Sequence, residues 1–300
     1  VARKTRDSGL DGLLVVDKPA GATSHDVVSR LRRVKSQPRA GHSGTLDPDA
    51  TGVLLVGFGR VTKLLPYLVE LGKSYRGDVV LGSETTTLDA SGEVVAVHDM
   101  SSVTRSDVEA VLPRFRGDIV QIPPMVSAVH VAGKRLYEYA REGIQVERPE
   151  RHVRVLELEV LAEPAPGVFT IFVRCSSGTY IRSLAADIGT ALGGGAHLRN
   201  LRRTSVGPFT DAEAVPLDDV TAETPLLGQL QALRGRPVAR LTAGAAAGCI
   251  HGRLVRRLDL GIADDDPGPW VGVDPDGNFV AVLEAFGDGL LKPAAAVAID

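Results

Sequence analysis

Residues 41–59 read GHSGTLDPDATGVLLVGFG, a glycine-rich loop that runs straight into an apolar strand, Val53-Leu54-Leu55-Val56. The segment sets one carboxylate, Asp47, on a turn braced by a rigid strand. Glycines at 41, 44 and 52 leave room for close backbone approach or positive φ. An Asp-Pro step is also an ordinary turn initiator, so Asp47 taken alone reads first as turn chemistry. Two familiar motifs are excluded. A phosphate-cradling loop ends in Gly-Lys-Ser/Thr, and no lysine follows here before Lys63. A nucleophile elbow needs Gly-x-Ser-x-Gly, and Thr45 stands where its last glycine belongs. A hydrolase relay of His42, Ser43 and Asp47 packs its members too closely along the chain to form a triad. What survives is a carboxylate loop without phosphate- or acyl-transfer hallmarks.

Working outward, residues 12–17 (GLLVVD) read as a short buried strand ending in the turn Lys18-Pro19-Ala20-Gly21. Ser24 is the expected N-cap of a helix whose apolar stripe is Val27, Val28, Leu31 and Val34. After the Asp47 loop, Val61, Leu64, Leu65 and Leu68 fall in helical register. Residues 73–82 alternate as a strand with Tyr75, Gly77, Val79 and Leu81 on one face. A strand near 93–98 and a helix near 105–112 follow. Residues 121–143 open on a Pro-Pro break and end in a short helix. Strands are expected at 153–161, with Leu156, Leu158 and Val160 sharing a face, and at 168–175. A helix over 179–192 stops at the triple glycine 193–195, and 196–206 is strand-like. Without a steady βαβ rhythm, this order predicts an α+β fold with a mixed or antiparallel sheet and flanking helices. Near 207–240 the chain changes character. Its last 60 residues or so carry short β-like runs around a Pro-Asp-Gly-Asn turn, the mark of a small β-rich second domain.

The chain has 300 residues, 44% hydrophobic and 24% charged, which is ordinary for a globular protein with ample core. Two cysteines give no disulfide framework and point to the cytoplasm, and no Cys/His spacing suits a zinc site. No apolar run approaches the roughly 18 residues of a membrane span. The net charge of −3 speaks against a polyanion partner, but its distribution speaks for one. Arg30, Arg32, Arg33, Lys35 and Arg39 form one basic run, Arg199, Arg202 and Arg203 a second, and Arg253, Arg256 and Arg257 a third. Acid is segregated at Asp264-Asp265-Asp266. Taken singly, each basic run reads first as a solvated helix face.

Five separated motifs stand in one order: DKPAGATS (17–24), GHSGTLDPDATGVLLV (41–56), KSYRG (73–77), QIPPMVSAVHVAGKRLYEYAREG (121–143) and CSSGTYIRSL (175–184). Together they resemble the TruB-type tRNA pseudouridine synthases, which isomerise uridine 55 in the TΨC loop. The resemblance spans about residues 10–210, and the C-terminal 60 residues resemble a PUA-type RNA-binding domain. It implies a polar tail at 1–10, a catalytic domain at 11–235 with a thumb-like insertion at about 121–150, and a PUA-like domain at 236–300.

By that resemblance Asp47 is the essential carboxylate in a reaction that breaks the C1′–N1 bond, turns the base and joins C1′ to C5. An anionic oxygen there can attack C1′, stabilise positive charge on it or take a sugar proton. No oxidation state changes overall, so neither cofactor nor metal is expected. Arg182 matches the arginine that pairs with the aspartate, and Tyr75 the tyrosine that lies against the base. Tyr180 and Leu201 match pocket residues. The target sits inside a folded loop and must be extruded, at a cost of a few kcal/mol in stacking; the resemblance gives His42 the space it leaves. Lys18 is expected to brace the site and to meet phosphate. Lys134, Arg135 and Arg141 on the thumb, and Arg202 in the second basic run, are expected to meet the T arm of tRNA. Leu136, Tyr137 and Tyr139 anchor the thumb helix. A monomer is expected, and no membrane. The rival reading is a tRNA-binding and folding factor whose main role is not catalytic.

Overall fold

The computed structural model describes residues 9–127, 129–131, 133–263 and 265–296, without the side chains of 137, 140 and 141. The expected tail at 1–10 lies mostly outside them. Among the described residues, the larger of two main sheets has ten strands. Across it the strands run Val215–Pro216, Gly12–Lys18, Thr51–Phe58, Ala196–Val206, Lys73–Leu81, Val168–Cys175, Arg151–Ala165 and Gly117–Gln121. Two short strands, Ala40–His42 and Phe209–Thr210, pair beside this path. Parallel pairs (Gly12–Lys18 with Val215–Pro216, Thr51–Phe58 with Ala196–Val206) lie among antiparallel ones, so the sheet is mixed and the fold α+β, as expected.

The strand GLLVVDK is apolar on both sides because the sheet is covered on both faces. Leu14, Val16, Leu54 and Val56 face the helix Ser24–Val34 through its Val27, Val28 and Leu31. Leu13, Val15, Val53 and Leu55 face the other way, onto Leu64, Leu65 and Leu68. The helix cap differs from expectation. Thr23, not Ser24, is the N-cap, in a reciprocal capping box with Asp26. Ser24 is buried and turned toward the Asp47 loop instead.

One strand departs from simple alternation. In Arg151–Ala165 a bulge between Val155 and Glu157 shifts the phase by one residue. Val153, Val155, Leu158 and Val160 are therefore buried, while Leu156, expected inside, is 52% exposed. The helix expected from Val61 to Leu68 is a 3-10 segment, Gly59–Leu64, that turns α-helical over Leu65–Val69, with Pro66 in the first turn.

The second sheet has five strands in the order Val238–Arg240, Trp270–Val273, Phe279–Phe286, Leu290–Ala296, Val255–Arg256. Its Val271, Val273, Phe279 and Val282 join the cluster formed by Leu64, Leu65, Leu68 and Phe209, so the two sheets share apolar packing. The Tyr67 hydroxyl donates to Glu284 across this contact at 2.7 Å. Arg257, read as part of a basic patch, is buried. It donates to the carbonyls of Ala263 (2.8 Å) and Asp266 (3.0 Å) and stacks on Trp270, 4.8 Å from the ring centre. Asp264 lies outside the described residues. Among those described, no helix is long and apolar enough to cross a membrane.

Gly52 shows how tightly the site's supporting strand is packed. Its φ is +101°, and a β-carbon there would overlap the Arg203 backbone on the neighbouring strand. Gly52→Ala is expected to destabilise the protein by at least roughly 1–3 kcal/mol from backbone strain alone, read as a lower urea midpoint. An unchanged midpoint would show that this close approach is not needed.

Candidate active site

Asp47 sits in the loop between the strands Ala40–His42 and Thr51–Phe58, and that loop is held from three sides. Ser24 Oγ accepts from the Leu46 N–H at 2.9 Å and donates to the Leu46 carbonyl at 3.2 Å. Lys18, fully buried, gives its ammonium protons to the carbonyls of Pro19 (2.8 Å), Ala22 (2.5 Å) and Pro48 (2.8 Å). Burial pushes Lys18 down to about 8, with Asp49 and Asp47 opposing that shift. Arg203, also buried, donates to the carbonyls of Val53 at 2.7 Å and Gly44 at 3.2 Å. Two cations are thus committed to fixing backbone.

On this support Asp47 meets Arg182, from the first turn of the helix Ile181–Ala191. Nε lies 2.9 Å from one carboxylate oxygen and Nη2 3.0 Å from the other, a two-point clamp. Arg182 is held in turn by the carbonyls of Thr87 (2.9 Å) and Val126 (2.8 Å), with Asp89 at 3.5 Å. The Arg182 side chain is 5% exposed, whereas that of Asp47 is 39% exposed, so the carboxylate is the member of the pair open to a ligand. Protein packed around the rest of the carboxyl pushes its pKa above the ordinary aspartate value. Arg182 pulls the other way, and Asp89 adds to the rise.

Asp47 and Arg182 line a cavity of about 300 Å³ with Tyr75, Tyr180 and Leu201. That is the lower end of small-ligand sites and suits one nucleoside. Tyr75 is buried, and burial raises its phenol pKa. Tyr180 is placed by Gln121, whose amide accepts from the Tyr180 N–H at 2.9 Å and donates to its carbonyl at 3.2 Å. A second cavity of about 570 Å³ shares Asp47, Arg182 and Leu201 as a wall and extends toward Asp49, Asp89 and Asn200. The structure therefore brings together five of the sequence-derived residues: Asp47, Arg182, Tyr75, Tyr180 and Leu201.

Others lie elsewhere. His42 ends the strand that leads into the loop, half-buried and outside the lining of both cavities; burial lowers its pKa and favours the neutral ring. Lys18 is enclosed, and its three donors go to carbonyls, which leaves none for the expected phosphate contact. Arg202 is not in the cleft. It pairs with Asp17 at 3.0 and 2.9 Å and with Asp211 at 3.2 Å. Lys134 and Arg135 are exposed on the hairpin of the insertion, Lys134 paired with Glu142 at 3.1 Å and the Arg135 N–H donating to Glu138 at 3.1 Å. Leu136 is buried and the Tyr139 hydroxyl donates to Val131 at 3.2 Å, whereas the side chains of Tyr137 and Arg141 lie outside the described residues. In the first basic run, Lys35 is buried against the carbonyls of Ala222 and Thr224, and Arg30 pairs with Asp218 at 2.6 Å.

Sequence reasoning missed Lys73, Asp89, Gln121 and Arg151 around the cleft, and it placed Arg203 in a basic run, where the structure has it buried against loop and strand carbonyls. Asp89 lay in the turn-like run LDASG. Lys73 and Gln121 were inside quoted motifs but were not singled out.

Residues 32–181 match the family described as TruB family pseudouridylate synthase (N terminal domain), and residues 182–233 match the tRNA pseudouridylate synthase B C-terminal domain. The protein named tRNA pseudouridine synthase B in Mycobacterium sp. (strain KMS) is 45% identical over 278 residues, 91% of this chain and 92% of that one. Its namesake in Geobacillus thermodenitrificans (strain NG80-2) is 41% identical over 299 residues, 95% and 98% of the two chains. Among solved structures, a chain of a Cbf5-Nop10-Gar1 complex superposes with a TM-score of 0.71 at 29% identity, over 93% of this chain and 79% of that one. A chain of the archaeal box H/ACA sRNP Nop10-Cbf5 complex gives 0.67 at 27%, over 92% and 79%. This chain belongs to the TruB family of pseudouridylate synthases.

If Lys18 braces rather than binds RNA, Lys18→Met leaves three carbonyls without their donor and costs roughly 1–3 kcal/mol of stability. The salt dependence of RNA binding should stay as in the wild type. A stable variant with a shallower salt dependence would reinstate the phosphate contact.

Proposed function

We propose that this protein isomerises uridine 55 in the T arm of tRNA to pseudouridine, with Asp47 as the catalytic carboxylate. The observation that carries this reading is the two-point Asp47–Arg182 pair on the wall of a nucleoside-sized cavity beside Tyr75. Family membership and the name carried by its relatives support the substrate class.

The extruded uridine enters with its base against Tyr75 and between Tyr180 and Leu201, so that C1′ faces the open edge of Asp47. Arg182 holds the carboxylate in one orientation and favours its charged form, offsetting the burial that disfavours it. The carboxylate then serves C1′, by attack, by charge stabilisation or by accepting a sugar proton. The C1′–N1 bond breaks and the C1′–C5 bond forms. C5 gives up its proton, N1 gains one, and the base keeps its composition. His42, at the mouth of the loop, takes the stacking position the uridine vacates. Lys134, Arg135 and Arg141 on the insertion meet the phosphates of the arm.

The division adopted is a catalytic domain at 11–235, with its thumb at about 121–150, and a PUA-like RNA-binding domain at 236–300. The change of sheet at Val238 supports it. One chain carries the whole cavity, which supports action as a monomer; the compartment is the cytoplasm, where a reducing environment suits two free, buried cysteines.

Nucleoside analysis of an unmodified T-arm stem-loop tests the reading. Wild-type protein should yield pseudouridine at position 55. Asp47→Asn should slow its formation by at least about 100-fold, the scale of losing a transition-state charge partner, and should keep RNA affinity. Product from both proteins would remove Asp47 from the chemistry. A folded wild type that binds the RNA and makes no product would favour the folding factor.

A further inference from the structure

Among the described residues, four cations and one carboxylate line the 300 Å³ cavity: Lys73, Arg151, Arg182 and Arg203 with Asp47. Three of the four are committed. Arg203 holds loop carbonyls, and Arg182 holds Asp47. Lys73, buried, donates to the carbonyls of Val69 (2.5 Å) and Leu71 (2.7 Å) and to Ser177 Oγ (3.1 Å). Arg151 is the exception. It is exposed, has no hydrogen-bond or ion-pair partner from its side chain among the described residues, and reaches over the rim of the cavity at Gly178. One of its terminal nitrogens is 3.8 Å from the point a Gly178 β-carbon would occupy.

Strand pairing fixes its backbone position. Arg151 opens the strand Arg151–Ala165 and pairs with Gln121 at the end of Gly117–Gln121, so the two residues close the base of the insertion. Gln121 is the residue whose side chain pins Tyr180. Arg151 thus stands at the joint between insertion and cavity.

We propose that Arg151 binds a phosphate flanking the extruded uridine and thereby positions that nucleotide over Asp47. This rests on the function proposed above. A guanidinium is charged at any working pH and presents a planar fork matched to two phosphate oxygens. An arginine left without a partner at the mouth of a nucleoside-sized cavity meets the anion that the nucleotide itself brings. When a nucleotide is turned out of its stack, the base enters the pocket and its phosphates stay at the rim. The contact is the same before and during the reaction, so its loss should raise KM with little change in kcat.

The test uses the full chain and T-arm stem-loops that carry a neutral methylphosphonate on the 5′ or the 3′ side of the target, one at a time. Arg151→Gln should weaken binding about tenfold and make the slope of log Kd against log salt shallower by roughly 0.7–0.9, the contribution of one phosphate. Arg151→Lys should keep the wild-type slope. One of the two methylphosphonates should cost the wild type as much as the substitution does and cost Arg151→Gln nothing more. An unchanged slope in Arg151→Gln, or losses that simply add at both positions, would overturn the proposal. Product formation by the wild type is scored separately. An inactive wild type whose binding depends on Arg151 would sink the isomerase reading alone, and an active one whose binding ignores Arg151 would sink this inference alone.

Discussion

A carboxylate beside a guanidinium stays in one geometry only if the loop that carries it cannot drift away. Everything around this site depends on that constraint. Lys18 and Arg203 are two buried cations that face carbonyls, not anions, and what they hold is the backbone on either side of Asp47. Burying a charge without an ionic partner is costly unless hydrogen bonds replace its water. Here the replacement is carbonyl dipoles, of which Pro48 for Lys18 and Gly44 for Arg203 come from the loop, so moving the loop would cost each cation part of its solvation. Ser24 adds a reciprocal bond to Leu46, and the close approach at Gly52 locks the strand behind.

The same rigidity explains how Asp47 can be open and yet perturbed. Its carboxylate faces the cavity, while protein on its other sides pushes its pKa up and Arg182 restrains the rise. The chain as a whole is slightly acidic, at −3, yet among the described residues the cavity is lined by four cations and one anion. Net charge was a poor guide to the partner because the relevant charge is local.

Much of the fold was legible because hydrophobic periodicity reports which face is buried. The strand Lys73–Leu81 and the helix Ser24–Val34 follow directly from it. Periodicity fails where the backbone breaks phase, and the bulge at Val155/Glu157 sends Leu156 outward for that reason. The candidate site was legible where residues sit in distinctive motifs, as Asp47, Tyr75 and Arg182 do. It was not legible for basic residues, whose charge says nothing about whether they face solvent or carbonyls. Arg202 and Arg203 are neighbours on one strand and point to opposite sides. One pairs with Asp17 and the other enters the core. Lys35, read as one member of a basic run, is an interior brace, and Lys18, expected both to brace the site and to meet phosphate, gives all three donors to carbonyls. Asp89 is unremarkable in sequence because its role arises only when its turn is folded against Arg182.

In the proposed reaction an ionised Asp47, held by Arg182, performs the chemistry. The most direct measurement is the pH dependence of single-turnover pseudouridine formation, set beside a carbon-13 NMR titration of the Asp47 carboxyl in the same protein. Because the folded-state pKa is raised, activity should fall away as pH drops through a midpoint above the ordinary value of 3.8, and the carboxyl should titrate at that same midpoint. A rate that ignores the protonation of Asp47, or an acid limb well separated from its titration, would contradict the account.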